Sequence, residues 1–167
     1  TAIAVIDRAN ESSYLFEATP EFRDQLYRLQ QEAAQPLSGI FLTHAHIGHY
    51  TGLMHLGREA MGTRDMPVYA MPRMSAFLRD NGPWSQLVSL GNIELRGLQH
   101  MAPVNLSTVT VTPFLVPHRD EYSETVGYRI QGPNRSAIFI PDINKWEDWD
   151  ESIVEMVESV DYALIDA

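Results

Sequence analysis

The sequence contains no cysteine, which excludes disulfides and thiolate-held metals. Any transition ion must then be bound by imidazole and carboxylate, donors that suit zinc, iron or manganese. Lysine is nearly absent as well. Lys145 is the only one, the 12 basic side chains face 22 acidic ones, and the net charge is −10. Such a chain repels nucleic acid and anionic membrane at long range, and it has no basic cluster to neutralise phosphates. No apolar run approaches the roughly 20 residues that span a bilayer, and the N-terminus lacks a basic segment followed by a signal-like apolar stretch. These absences predict a cytoplasmic protein with neither a nucleic-acid nor a membrane partner.

What is present is an ordinary globular balance, 44% apolar and 20% charged over 167 residues, enough for one compact domain with a core. Ala2–Asp7 and Ser12–Glu17 read as a hairpin. Thr19-Pro20 reads as a helix start, with Thr as cap and Pro in the first turn. Phe22, Leu26, Leu29 and Ala33 then recur at helical spacing. Gly39–Thr43 is a buried-strand candidate. Leu53, Leu56, Ala60 and Met61 mark the core face of a further helix. Met66–Ala70 predicts a strand and Pro72–Asp80 a helix. The second half turns to strands: Ile93–Leu98, Ser107–Val116, Thr125–Gln131 and Ser136–Ile140, then a helix over Trp149–Glu158. Thr1 leads straight into an apolar run, and Val160–Ala167 reads as a buried strand at the other end. The expectation is a single domain over 1–167, cut from a longer protein at both ends, with strands and helices mixed on a largely β scaffold.

Three of the six histidines fall in Thr43-His44-Ala45-His46-Ile47-Gly48-His49, where a strand ends and a helix begins. Side chains two apart in an extended segment point to one side, so His44 and His46 can grip one ion. His49 lies a turn onward, where it can face the same cavity. A polar loop without a ligand is the rival reading for one histidine, but it fits poorly with a cluster at a strand end. His118, in Phe114-Leu115-Val116-Pro117-His118, follows an apolar strand and is the natural third imidazole. Asp142 follows Ala137–Pro141; alone it reads as a turn cap, and beside histidines as a carboxylate that binds or bridges metal. Three imidazoles and a water make a catalytic zinc arrangement with one open position. The remaining candidates read more simply: His55 as exposed or capping, His100 as structural, Arg119–Tyr122 as a solvated turn, and Trp84, Trp146 and Trp149 as packing residues. Arg73 is a weak candidate for contacting an anionic substrate.

The segment Thr43–His49 resembles the H-x-H-x-D-H signature of the metallo-β-lactamase superfamily. His118 looks like that family's next histidine ligand, and Asp142 like its bridging aspartate. The order and spacing agree from about residue 12 onward. Glu17–Leu26 and His46–Leu53 are most similar to the pyrroloquinoline quinone synthesis protein B branch, to which a phosphodiesterase of phosphonate breakdown is related. The resemblance implies an α+β fold, the αββα sandwich of two mixed sheets with helices outside, here as an incomplete segment. It also implies a metal site at one edge between the sheets. Two departures matter. Gly48 stands where the family usually has an Asp that binds a second metal, and the family's last histidine ligand would lie beyond Ala167. The first metal position is therefore expected to be the stronger, and the second, left with His49 and a shared Asp142, weak or empty.

The expected ligands are His44, His46, His49, His118 and Asp142, with His118 and Asp142 also serving catalysis. The expected cofactor is Zn²⁺, one or two ions, with iron or manganese as alternatives. A bound Zn²⁺ lowers the pKa of its water to about 7. The expected activity is thus hydrolysis of an ester, phosphodiester or similar small substrate by metal-bound hydroxide. A non-haem-iron oxidative enzyme of the quinone-cofactor type and a non-catalytic binding module are the rival readings. A small-molecule substrate is the expected partner, and homo-oligomerisation is left open.

Overall fold

The computed structural model describes residues 1–33 and 35–166. The chain forms two compact units, Thr1–Gly97 with Tyr122–Glu124, and Leu98–Glu121 with Thr125–Ala167. Each carries one five-stranded mixed sheet.

In the first unit, β1 (Ile3–Asp7) and β2 (Ser12–Phe16) form the expected antiparallel hairpin. Next come α1 (Phe22–Glu32), β3 (Leu37–Phe41), the short α2 (Ile47–Tyr50) and a 3₁₀ turn over Thr51–Leu56. Then follow β4 (Met66–Ala70), α3 (Pro72–Asp80), α4 (Trp84–Ser89) and β5 (Ile93–Gly97). The sheet order is β1-β2-β3-β4-β5, and every pairing after the hairpin is parallel. Parallel neighbours require crossovers, and the helices supply them. One face of this sheet (Leu15, Ile40, Val68, Ile93) shares a core with Phe22 and Leu29 of α1, Leu53 and Leu56 of the 3₁₀ turn, and Met74 and Leu78 of α3. On the other face Phe16, Phe41 and Tyr69 sit in register on adjacent strands. Phe41 stacks on Phe16 at 4.8 Å and on Tyr69 at 4.2 Å. This is the two-faced apolar character of a parallel sheet.

Two expectations in this unit need correction. The first helix starts at Phe22 with Glu21 as its cap residue, and Thr19 does not cap it. Ala18 is already committed, its N–H donating to His49 O and its carbonyl accepting from Gly52 N–H, so the chain cannot turn into a helix there. Thr19 Oγ1 instead accepts from Gln25 Nε2 at 2.6 Å. The helix after the histidine motif ends at Leu56, because Gly57 is extended; Ala60 and Met61 are exposed rather than core. Gly52 is where backbone meets backbone. A Cβ there would lie 2.2 Å from Thr19 O and 2.5 Å from Phe22 Cβ. G52A is therefore expected to lower the unfolding free energy by about 3 kcal/mol, read from the urea midpoint.

In the second unit, β6 (Val104–Leu106), β7 (Val109–Leu115), β8 (Val126–Gln131) and β9 (Ser136–Ile140) form an antiparallel meander, and β10 (Tyr162–Ile165) adds in parallel to β9. The strand expected over Ser107–Val116 is shorter, because Ser107 takes φ +63° and turns the chain from β6 into β7. The helix expected over Trp149–Glu158 is shorter: α5 spans Ile153–Glu158, starts where Ser152 caps it through its side chain, and is preceded by a separate 3₁₀ turn at Trp146–Asp148. Phe114, Val116, Ile138, Ile140 and Ile143 make the core of this unit, with Trp146, Trp149, Ile153 and Met156 packed against it. The last strand was expected to be buried; all four residues of β10 are exposed. It is the terminal strand of its sheet, tied by Ser136 N–H donating to Asp161 Oδ2 at 2.8 Å. Ala167, at the end of that expectation, lies outside the described residues. Among the described residues no helix is long and apolar enough to cross a membrane.

Candidate metal centre

Sheet direction decides where the candidate residues emerge. Because β2 and β3 are parallel, their C-terminal ends lie side by side, which puts Glu17 next to the His44–His49 segment. Open parallel sheets carry their ligand sites beyond such ends. β7 and β9 are both antiparallel to the β8 between them, so they run the same way. Their ends deliver His118 and Asp142 to one edge of the second unit's sheet.

In the first unit, His44 Nε2 lies 2.8 Å from His46 Nδ1, so two ring nitrogens converge as the extended spacing predicted. His44 is buried, 1% exposed, and its Nδ1 is 2.9 Å from Thr43 Oγ1. With the proton on Nδ1, the hydroxyl accepts it and Nε2 keeps its lone pair for a metal, the usual arrangement for a ligating histidine. His49 is buried beside them, its ring centroid 4.2 Å from that of His44.

The sequence reading missed Glu17. It is fully buried, hydrogen-bonded through Oε2 to His49 Nδ1, and accepts the Thr43 N–H on Oε1 at 2.9 Å. One carboxylate thus orients His49 from behind and holds the strand end from which His44 and His46 project. Burial pushes the Glu17 carboxyl above its ordinary range, against the opposing pull of His49. Its backbone sits at φ +86°, a conformation that disfavours L side chains by about 1–2 kcal/mol and that the surrounding contacts must enforce. The available signal was a carboxylate directly after the apolar run of β2. E17A leaves Thr43 N–H and His49 Nδ1 without this acceptor. It is expected to cost about 3 kcal/mol of stability, measurable by chemical denaturation.

In the second unit, His118 Nε2 lies 3.6 Å from Asp142 Oδ2, with His118 the more buried of the two. A nitrogen and a carboxylate oxygen at that separation can share an ion. The first unit's donors are imidazole nitrogens, the second unit's an imidazole nitrogen and a carboxylate oxygen, and neither has sulfur; donors of this kind fit Zn²⁺ and also admit iron or manganese. The second unit holds a cavity of about 360 Å³ beside this loop, lined by Val116, Pro117, Asp120, Trp149 and Glu151 among others.

The minor candidates take structural places. His55 stacks on Phe22. His100 Nδ1 accepts the Leu115 N–H at 3.1 Å. Asp120 accepts from Thr125 Oγ1 at 2.8 Å within its turn. Trp84 packs with Tyr50 and Phe77, and Trp149 with Phe114 and Trp146.

Residues 13–167 match the family model of the beta-lactamase superfamily domain. A curated relative, ribonuclease Z of Rippkaea orientalis (strain PCC 8801 / RF-1), is 28% identical over 135 residues, which are 79% of this chain and 41% of the relative. The chain therefore spans less than half the length of that protein. Among solved structures, Zn²⁺-bound PqqB from Methylobacterium extorquens superposes with a TM-score of 0.79 at 21% identity, covering all of this chain and 60% of that one. A diphosphatase of the PhnP family gives a TM-score of 0.60 at 23% identity, over 91% of this chain and 54% of its own. With its two mixed sheets and its histidine motif at a strand end, the chain belongs to the metallo-β-lactamase superfamily and is PqqB-like in fold.

Proposed function

We propose that this chain carries the metal centre of a metal-dependent hydrolase acting on an ester, phosphodiester or similar small substrate. The observation that carries the reading is the pair His44 Nε2 and His46 Nδ1, converging at 2.8 Å on a buried strand end with the second nitrogen of His44 tied back by Thr43. On this reading His44, His46 and His118 are the primary ligands, Asp142 binds or bridges, and His49 begins a second, weaker position. A divalent ion held there supplies Lewis acidity and lowers the pKa of water. Asp142, partly exposed, accepts a proton from the attacking water or orients it. His118 Nε2, 3.6 Å from Asp142 Oδ2, stands beside that carboxylate as a donor to the same ion. Glu17 and Thr43 fix the imidazole orientations.

The relatives support hydrolysis in their names, a ribonuclease and a diphosphatase, and the zinc-bound PqqB supports zinc as the ion. The net charge of −10 favours a small substrate over a polynucleotide, whose phosphates need clustered basic side chains. The test is chelation. Dialysis against a strong chelator is expected to abolish cleavage of a chromogenic aryl phosphodiester or ester, and one equivalent of Zn²⁺ to restore it. Iron as the native metal, with oxygen consumed during turnover, would replace hydrolysis by oxidative chemistry. Preferential cleavage of a structured RNA over the aryl phosphodiester would overturn the substrate class.

A further inference from the structure

Between His118 and β8, three consecutive residues leave the second unit. Tyr122–Glu124 belong to the first unit, while both flanks, up to Glu121 and from Thr125, belong to the second. Each of the three is fastened to the first unit. Ser123 Oγ accepts the N–H of Ala45 at 2.8 Å across 78 positions of sequence and donates its own proton to Glu124 O at 2.9 Å. The Glu124 carboxylate takes the Arg73 N–H at the start of α3, at 3.0 and 3.1 Å from its two oxygens. The Tyr122 ring lies 5.6 Å from Phe77 on the same helix.

Ala45 is the residue between the two convergent imidazoles. It is buried, as is Ser123 at 3% exposure, so its N–H without the serine would be an unsatisfied buried donor. The peptide carrying that N–H sets the directions in which His44 and His46 leave the backbone. We propose that Ser123 is a positioning residue of the metal centre. By holding the Ala45 peptide it keeps His44 and His46 convergent.

This inference rests on the metal reading above, and the test separates the two. Co²⁺ is titrated into the metal-free protein, with its visible absorption and a competing chromophoric chelator as readouts. In S123A the affinity for Co²⁺ is expected to fall about tenfold, in the range found when outer-shell partners of metal ligands are removed, and the visible bands to shift. The metal-free variant is expected still to melt cooperatively. S123T, which keeps a hydroxyl, is expected to bring affinity and bands back towards those of the parent. If S123A does not fold, S123C, similar in size but a weaker acceptor, is expected to show the same direction. Parent-like affinity and spectrum in the folded variant overturn the role of Ser123 alone. Failure of the unaltered protein to bind Co²⁺ overturns the metal reading itself.

Discussion

Replacing His46 by alanine is expected to remove metal and activity together. His46 Nδ1 is one of two nitrogens converging at 2.8 Å, and the remaining donors would form a more open and weaker site. Loss of an outer-shell partner costs about 10–100-fold in metal affinity; loss of a donor nitrogen is expected to exceed the upper figure. The fold should survive. His46 is only partly buried, it precedes α2 without a side-chain capping bond, and it lies outside the apolar core of its unit. H46A should therefore keep its denaturation midpoint while elemental analysis after dialysis finds little bound metal and turnover falls to background. Full metal content in a folded H46A protein would take His46 off the ligand set.

The opposite change is expected at Gly48. The family places an aspartate at this position, and the chain accommodates one without rearrangement. A Cβ built at Gly48 meets nothing within 4 Å, and Gly48 is not among the glycines with positive φ. On the proposed reading, a carboxylate in the first turn of α2, next to His49, adds an oxygen donor to the second, weaker position that begins at His49. G48D is expected to raise metal content from about one ion towards two per chain, with the second ion released first on graded chelation. If G48D folds and its stoichiometry does not rise, His49 is not part of a second metal position. Because Glu17 holds His49 Nδ1, an ion at this position would be met by Nε2.

Much of the fold could be read directly from residue spacing, and the failures share one cause. The hairpin of β1 and β2, the helix over Pro72–Asp80 and the strand over Met66–Ala70 were read correctly because alternation, helical spacing and turn residues act within a few positions. Thr19 looked like a cap, but its neighbour Ala18 was claimed by His49 and Gly52, about thirty residues away. The residues after Leu56 kept helical spacing although the chain had already turned at Gly57. α4 and β6 are too short to carry a period of their own. Apolar composition made β10 read as buried, whereas its place at the end of the sheet leaves it exposed.

The sequence alone determined the chemistry of the site. With no cysteine, candidate donors are imidazole and carboxylate, and two histidines two positions apart in an extended stretch project to the same side. Glu17 behind His49 and Ser123 on the Ala45 peptide were decided only by tertiary structure, across 32 and 78 positions of chain. Side-chain direction along a strand is a local property of backbone geometry. Which distant residue meets a buried N–H or imidazole depends on how the strands pair, and that is settled by the whole chain burying its apolar surface at once.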